Sequence, residues 1–426
     1  AQHAVREVAE LLEKKGKNRS VMENLNSYRN RMEQKPLGNF KTSWFWRAFP
    51  SGMRRRWWLF RFADIIAKNW PVFSAKQGLL VVRMDGIGDM VLFRQSLDHY
   101  TSTFKIQKQQ ITILGCKSWE SVAGKIFDNY KVINIDEHVF ARNLFYRLKI
   151  SITIRKLNPK ISVCDSYFRR TLMADSLVWV SGARETIVSL PFISERTRAE
   201  FTYYLSQFTK IVDTGPYPEH ETIRHYRFLS LVSNNSLPIE KTSIIWDANT
   251  PFFLEKPYVV INPGSNEYGR RWPLENYSLL SKTLVSCGYN VVVVGIKSEA
   301  ANEKESFFNT EGIINIIGKT SLPELMGILE NASGVVSNDT GPAHLSIALN
   351  TPTVVIIGGG HFGSFVPYPK RTTPQNTRFV YQKMDCFHCF WNCHLRKTRF
   401  DSFPCIQGVT NQMVWNACKE VLPRLN

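Results

Sequence analysis

The sequence lacks several features that would place the protein in other classes. It has no run of about eighteen apolar residues, so we expect no membrane-spanning helix. The first residues lack the apolar core of a secretory signal, so we expect a cytoplasmic protein, either free or peripheral on the inner face of the membrane. No G-x-G-x-x-G fingerprint follows a strand, which argues against a nicotinamide oxidoreductase.

Acidic side chains are scarce relative to basic ones. The 426 residues hold 54 Lys and Arg against 36 Asp and Glu, a net charge of +18. Residues 1–76 alone hold sixteen basic and six acidic side chains, so more than half of the excess lies in less than a fifth of the chain. This imbalance favours an anionic partner, which can be nucleic acid, a membrane surface or an anionic glycolipid.

The basic segment 1–76 is also rich in aromatic residues, and we treat it as an N-terminal extension. Its first part, 1–34, has the pattern of a polar, charged helix, whereas 44–73 interleaves Trp and Phe with Arg and Lys. Aromatic and cationic side chains in alternation are typical of a segment that lies at a membrane interface. Packing on the body of the protein and contact with nucleic acid are the alternatives.

From residue 77 onward, short apolar strands alternate with helices, which is typical of a parallel, doubly wound α/β sheet. The pattern occurs twice, and at this length two domains are expected. A helical stretch at 193–232, broken near Gly215, is predicted to lead from one to the other. The chain thus divides into the extension (1–76), a first Rossmann-like lobe (77–215), a connection (216–256), a second Rossmann-like lobe (257–380) and a cysteine-containing tail (381–426).

The stretch 333–360 is the most informative part of the second lobe, because it reads as strand, tight turn, helix and strand. Its turn holds Asp339, Thr340 and Gly341, and His344 follows on the helix. In open α/β sheets such turns lie where ligands bind, and the free N–H groups of a helix start attract anions. The turn is therefore a candidate anion site, although an ordinary turn capped by Asp339 has the same pattern.

Two other strand ends of the second lobe carry groups suited to a nucleotide. The loop after the first strand holds Ser265, Asn266, Arg270 and Arg271, and arginine forks match phosphate oxygens. Glu299 follows the next strand, where a carboxylate can accept hydrogen bonds from ribose hydroxyls. A surface loop and a helix-start glutamate are the alternatives. Together with the preceding turn, these groups predict a nucleotide diphosphate site.

The first lobe opens with a glycine-containing loop after the strand at 79–82. Gly86 and Gly88 allow a tight turn and a close approach of a ligand, and Asp85 and Asp89 place carboxylates beside it. A helix is predicted from about Asp89. This carboxylate is either a residue that favours the helix N-terminus or a general base held at a cleft.

Four of the eight cysteines crowd into the tail, in the pattern C-x2-C-x3-C-x11-C. In a reducing compartment, four thiolates at such spacing fit a tetrahedral zinc or iron site. Unligated buried cysteines and a disulfide are the alternatives. A closed four-ligand site is structural, so we expect no necessary contact with the chemistry. The predicted ligands are Cys386, Cys389, Cys393 and Cys405.

Three motifs together resemble the heptosyltransferase family of bacterial glycosyltransferases, glycosyltransferase family 9. They are RMDGIGDMVL at 83–92, NPGSNEYGRRWP at 262–273 and SNDTGPAHLSIALNTPTVVIIG at 337–358, and the likeness spans about 77–380. The resemblance implies the GT-B fold, in which two Rossmann-like lobes face a cleft. It implies an inverting transfer with Asp89 as the catalytic base. The implied donor contacts are Ser265, Asn266, Arg270, Asp339, Thr340, Gly341 and His344.

The resemblance also implies the substrates. The predicted function is the transfer of heptose, or a related sugar, from ADP-heptose to a hydroxyl of a lipopolysaccharide-type glycan or glycolipid at the inner membrane surface. A helix start and an arginine can stabilise the departing diphosphate, so no catalytic divalent metal is expected.

Two alternatives remain. The cysteine tail is similar to that of the branch that glycosylates autotransporter proteins, where the metal is iron, so a protein acceptor is one of them. A zinc-containing nucleic-acid-binding protein is the other, and it leaves the paired Rossmann-like units unexplained. We therefore expect no nucleic-acid partner, whereas a homo-oligomer stays open.

Overall fold

The computed structural model describes residues 43–247, 257–297, 308, 310–423 and 425. Within them lie two parallel sheets of six strands each, one in each lobe, as predicted. The helix predicted over 1–34 and the candidate residue Glu299 fall outside the described residues.

The first sheet has the spatial order β3-β2-β1-β4-β5-β6, with all neighbours parallel. The first strand, Leu-Leu-Val-Val, is buried along its whole length because helices cover both faces of a doubly wound sheet. The strands are β1 Leu79–Val82, β2 Ile111–Cys116, β3 Lys131–Ile135, β4 Ile161–Cys164, β5 Glu185–Ser189 and β6 Lys210–Val212.

The second sheet has the order β12-β11-β10-β7-β8-β9, which is the same winding repeated. In both sheets the strand order reverses beside the first strand of the lobe, between β1 and β4 and between β7 and β10. Ligands bind at such reversal points in open α/β sheets. The strands are β7 Tyr258–Asn262, β8 Asn290–Val293, β9 Ile313–Asn315, β10 Gly334–Asn338, β11 Thr353–Ile356 and β12 Thr377–Val380.

Helices cover both sheets. In the described part of the chain they are α1 Trp44–Ala48, α2 Arg55–Lys68, α3 Ile87–Leu97, α4 Tyr100–Phe104, α5 Glu120–Ile126, α6 Glu137–Phe140, α7 Leu144–Leu157, α8 Ala174–Val180, α9 Arg198–Leu205, α10 Glu221–Ser233, α11 Leu274–Ser286, α12 Leu322–Glu330, α13 Gly341–Ala348, α14 Pro404–Gln407 and α15 Asn411–Val421. No helix among these residues combines the length and the apolar character needed to span a bilayer.

The described part of the extension packs on the first lobe with one face only. Helix α2 lies against α7, and its own Trp57 and Phe60 are buried on the side that faces the lobe. A buried ion pair links α7 to α2, since Arg147 Nε and Nη2 donate to the two carboxylate oxygens of Asp64 at 2.8 and 2.6 Å. The opposite face leaves large apolar side chains in solvent, with Phe62 70% exposed. The described part of the extension therefore both packs on the body and presents an apolar surface.

The predicted helical stretch 193–232 is partly wrong. It contains helix α9, strand β6 and most of helix α10, so a strand interrupts it before Gly215. The three residues of β6 are too few to show a strand periodicity in the sequence, and only pairing with β5 fixes their conformation. Helix α3 also begins at Ile87, two residues before the predicted start.

The two lobes meet where helix α3 of the first packs against helix α13 of the second. Two glycines allow the approach. A Cβ atom on Gly88 would lie 2.9 Å from the imidazole of His344, and one on Gly341 would lie 2.4 Å from Ile87 Cγ2. The helix that carries Asp89 therefore touches the helix that follows the Asp339 turn.

Candidate functional site

A cavity of about 620 Å³ lies at this junction and is lined by both lobes. Its size is that of a small-molecule binding site. The loops after β1, β7, β8 and β10 open into it, as expected at the reversal points of the two sheets. The predicted site residues on its wall are Gly86, Gly88, Asp89, Ser265, Asn266, Arg270, Asp339, Thr340, Gly341 and His344.

Asn338, at the end of β10, forms hydrogen bonds with the loop after β7 and with the residues that follow this loop. Its side-chain nitrogen donates to the carbonyls of Pro263 and Gly264 at 2.9 and 3.2 Å. Its side-chain oxygen accepts from the Trp272 backbone N–H and the Tyr277 hydroxyl at 3.1 and 3.0 Å. This role was not predicted from the sequence, although an asparagine at a buried strand end was the available signal.

Asp339 lies between the side chains of Arg270 and His344. Arg270 Nη2 lies 2.7 Å from one carboxylate oxygen, and His344 Nε2 lies 3.5 Å from the other. Burial alone would raise the pKa of Asp339, but Arg270 and His344 outweigh it and lower the pKa to about 2. Asp339 is therefore a carboxylate throughout the physiological pH range and holds both side chains at the cavity.

Tyr368 orients the imidazole of His344, a role the sequence analysis did not identify. Its hydroxyl lies 2.8 Å from Nδ1, and burial raises the pKa of this tyrosine, so it remains a phenol. A phenol that donates to Nδ1 leaves the proton of a neutral imidazole on Nε2, facing Asp339. The two rings also stack, with centroids 5.8 Å apart.

The two arginines of the loop after β7, Arg270 and Arg271, make different contacts. Arg270 lines the cavity, whereas Arg271 braces the loop by donating from Nε and Nη2 to the Ser265 carbonyl at 2.9 and 2.6 Å. The assignment of Arg271 as a donor contact stays a prediction. The Ser265 hydroxyl is buried without a hydrogen-bond partner, so a bound ligand can satisfy it. Asn266 is exposed at the rim.

Asp89 lies in the first turn of α3 and faces the cavity. Burial, with a contribution from the neighbouring Asp85 carboxylate, raises the pKa of Asp89 to about 6, against the opposing charges of Arg83 and His344. A carboxylate with a pKa near 6 is mostly ionised at pH 7 yet retains basicity, which suits a general base.

Asp85 has a different role, because it belongs to a buried ion-pair network under the cavity. Arg83 lies 3.0 Å from Asp85 through Nη2 and 2.7 Å from Asp165 through Nη1. Ser166 Oγ also donates to Asp85 at 2.7 Å, and His225 Nδ1 lies 2.8 Å from Asp165. These contacts hold the Asp85 carboxylate against the lobe, so it serves the loop's structure and leaves Asp89 as the base candidate.

Glu221 is a second perturbed carboxyl near the cavity. It begins helix α10, and burial raises the pKa of Glu221 to about 8, only partly offset by Arg224. Its Oε1 has no hydrogen-bond partner. Glu221 was not predicted from the sequence, because only the contact of α10 with α3 brings it near Asp89.

The four tail cysteines lie near one another on the flank of the second lobe. Their thiols are close enough for electrostatic interaction among Cys386, Cys389, Cys393 and Cys405. Within the described ranges, however, no three His, Cys, Asp or Glu side chains are arranged to hold a metal ion. The predicted metal site is therefore not confirmed.

The chain is similar to known heptosyltransferases. Residues 233–392 match the model of glycosyltransferase family 9 (heptosyltransferase). Lipopolysaccharide heptosyltransferase 2 of Escherichia coli K12 is 36% identical over 111 residues, which are 24% of this chain and 32% of that protein. The alignments thus span about a third of the length of the curated relatives.

Solved structures extend the likeness to both lobes. The E. coli ADP-heptose LPS heptosyltransferase II superposes with a TM-score of 0.60 at 18% identity, covering 81% of this chain and 98% of that one. TibC of enterotoxigenic E. coli H10407, described as an iron-containing dodecameric glycosyltransferase, gives 0.52 at 14% identity, covering 82% and 77%. Two Rossmann-like lobes are thus the shared fold. The resemblance of the chain to the heptosyltransferases is confirmed, and it rests on the family match over 233–392 and on the shared two-lobe fold.

Proposed function

We propose that this chain is an inverting glycosyltransferase that transfers heptose, or a related sugar, from ADP-heptose to a hydroxyl of a lipopolysaccharide-type glycan. The observation that carries the proposal is the shared cavity, which has Asp89 on the first-lobe wall and the Arg270–Asp339–His344 cluster on the second. A base and an anion-binding cluster on opposite lobes are what an in-line displacement at a sugar carbon needs.

The second lobe would bind the donor. The diphosphate would lie at the N-terminus of α13, where backbone N–H groups and the helix dipole favour negative charge. Arg270 keeps hydrogen-bond donors for the phosphate oxygens, since its Nε has no partner. The remaining contacts with the diphosphate would come from Ser265, Asn266, Thr340 and Gly341. Glu299, which lies outside the described residues, stays the predicted contact with the ribose.

The first lobe would supply the base. The acceptor hydroxyl oxygen attacks the anomeric carbon and loses its proton to Asp89, while the bond from that carbon to ADP breaks and ADP leaves with the electron pair. Arg270 and the start of α13 stabilise the charge that develops on the leaving diphosphate. Attack opposite to the leaving group inverts the anomeric carbon.

A protein acceptor is the second candidate, and the tail supports it. The fold matches that of TibC, which is described as iron-containing, and four thiols lie together in this chain. Iron or zinc would be a structural cross-link of the tail, held by Cys386, Cys389, Cys393 and Cys405. A metal there would supply stability to the loop and take no part in the transfer.

The location of the enzyme is also part of the proposal. The exposed apolar face of α2 and its flanks carries Trp44, Phe62 and Phe73 beside the exposed Arg55 and Arg56. Such a surface favours peripheral contact with an anionic membrane on the cytoplasmic side, where a glycolipid acceptor would be reached. We also propose that the domains after the extension begin at residues 77, 216, 257 and 381. Self-association is a further proposal, because TibC is described as dodecameric.

The test separates chemistry from donor binding. Asp89→Asn should lower transfer from ADP-heptose to a truncated lipopolysaccharide acceptor by roughly 10²- to 10⁴-fold, the usual contribution of a general base. The same variant should bind ADP, measured by calorimetry, within about threefold of the unchanged protein, because the diphosphate contacts lie on the other lobe. Turnover retained in Asp89→Asn would exclude this residue as the base, and absence of ADP binding in the unchanged protein would exclude the function.

A further inference from the structure

The cysteine tail contacts Arg270 of the candidate donor site directly. Trp391, between Cys389 and Cys393, lies under the guanidinium of Arg270, whose central carbon is 4.6 Å from the centre of the indole ring. The same indole stacks on Phe403 with centroids 5.6 Å apart and planes 22° from parallel. Arg270 is thus held by Asp339 at its tip and by Trp391 on its face.

Glycines make this close packing possible. A Cβ atom on Gly360 would lie 2.1 Å from the Trp391 ring, and one on Gly269 would lie 2.7 Å from the Phe403 ring. Hydrogen bonds fix the same contact, since the Phe403 backbone N–H donates to the Gly269 carbonyl at 2.7 Å. The tail and the arginine loop therefore form one packed unit in which Trp391 has little room to move.

The backbone around Trp391 adopts a rare conformation. His388, Phe390 and Trp391 have φ angles of 71°, 51° and 61°, in the left-handed region that bulky residues seldom occupy. Such residues persist only where surrounding contacts hold them, and they concentrate at functional sites. Phe390 packs on Phe192 of the first lobe and on Tyr217 of the connection, with ring centroids 4.7 and 4.8 Å apart. Neighbouring aromatic residues of the tail thus contact the first lobe through Phe390 and Arg270 of the second lobe through Trp391.

We propose that Trp391 is a positioning residue for Arg270, and that the cysteine-containing loop 386–405 thereby sets the affinity of the site for the diphosphate of the donor. The inference rests on the proposed function. An arginine on a flexible stem must be ordered before it can bind phosphate, and a ring beneath its face provides that order in advance. Trp391 touches no reacting atom and acts only through Arg270.

The experiment uses calorimetric titration with ADP and with AMP. Trp391→Ala should weaken ADP binding about tenfold, the size of a partly buried cation–π contact with its ordering effect, and leave AMP binding within about twofold. Trp391→Phe should restore most of the affinity, because a ring remains under the guanidinium. Phe400→Ala is the matched control, since Phe400 is an exposed aromatic residue of the same loop.

A double-mutant cycle separates positioning from general damage. Arg270→Ala should itself weaken ADP binding, and adding Trp391→Ala should cause no further loss, because the two residues act as one unit. In transfer assays, KM for ADP-heptose should rise in Trp391→Ala with a smaller change in kcat. If Trp391→Ala does not fold, Trp391→Leu keeps apolar volume without an aromatic face and should show the same loss.

The outcomes distinguish this inference from the proposed function. An unchanged protein that binds no ADP removes the function on which the inference rests. Arg270-dependent ADP binding that survives Trp391→Ala or Trp391→Leu overturns the positioning role alone. A loss of equal size for AMP, or one that persists in the Arg270→Ala background, also overturns it, because the effect would then not pass through the arginine.

Discussion

The pH dependence of transfer provides the sharpest test of Asp89. A general base must be deprotonated, so kcat/KM should fall as the pH decreases through the pKa of about 6. At that pKa about nine-tenths of the carboxyl groups are ionised at pH 7 and about one-tenth at pH 5. We therefore expect kcat/KM to be about tenfold lower at pH 5 than at pH 7. A plot of log kcat/KM against pH should have a slope of one below the inflection.

Asp85→Asn should move this inflection in a known direction. The Asp85 carboxylate contributes to the raised pKa of Asp89, after burial. Removing its charge lets Arg83 act on Asp89 with less opposition, so the inflection should shift to lower pH. Asp85 is one of several charged groups that act on Asp89, so the shift should be on the order of one pH unit, the lower end for a single neighbouring charge. An Asn side chain can still accept from Ser166, which limits structural damage.

The assay is a kcat/KM profile between pH 4.5 and 8 (roughly the range in which a pKa near 6 is visible) with a spectroscopic check of folding at each pH. Asp98→Asn is the control, because Asp98 is an exposed carboxylate at the other end of the same helix. An inflection that stays in place in Asp85→Asn, or that moves equally in Asp98→Asn, would refute the electrostatic reasoning. An alkaline shift would refute the assigned sign.

Two further predictions concern the lobe contact and the extension. Gly341→Ala should lower the free energy of unfolding by about 1–3 kcal/mol and reduce transfer, because its Cβ would lie 2.4 Å from Ile87 Cγ2. Thermal unfolding measures the loss, and Ile87→Ala in the same chain should restore stability. Gly124→Ala is the control, because no atom lies within 4 Å of a Cβ added there. Phe62→Ser and Arg55→Glu should each reduce sedimentation with anionic phosphatidylglycerol vesicles relative to neutral phosphatidylcholine. Unchanged sedimentation in both, or none in the unchanged protein, would contradict membrane contact.

The sequence was sufficient for the features that repeat locally. The buried run Leu79–Val82, the alternation of strands with helices and the turn before α13 are local patterns, and each is found where it was predicted. The residues at strand ends could be selected because parallel strands bring their carboxyl ends to one edge of a sheet. Strand β6 was missed because three residues show no period of their own.

Other assignments needed contacts between residues far apart in the chain. Arg270 and Arg271 are equivalent in the sequence, and only the approach of Asp339 and the Ser265 carbonyl separates a cavity residue from a bracing one. The perturbed pKa of Glu221 likewise requires burial against the first lobe. Local pattern reports which face of an element is apolar, but not which distant element will cover that face.

The sequence by itself determined the two-lobe α/β plan, the resemblance to the heptosyltransferases and the edge of each sheet at which a ligand should bind. It did so because strand periodicity, glycine-containing turns and buried apolar runs are local properties. The tertiary structure alone decided that α2 packs with one face and exposes the other, that Tyr368 orients His344, and that Trp391 lies under Arg270. These contacts follow from how packed elements meet, and no spacing along the chain encodes them.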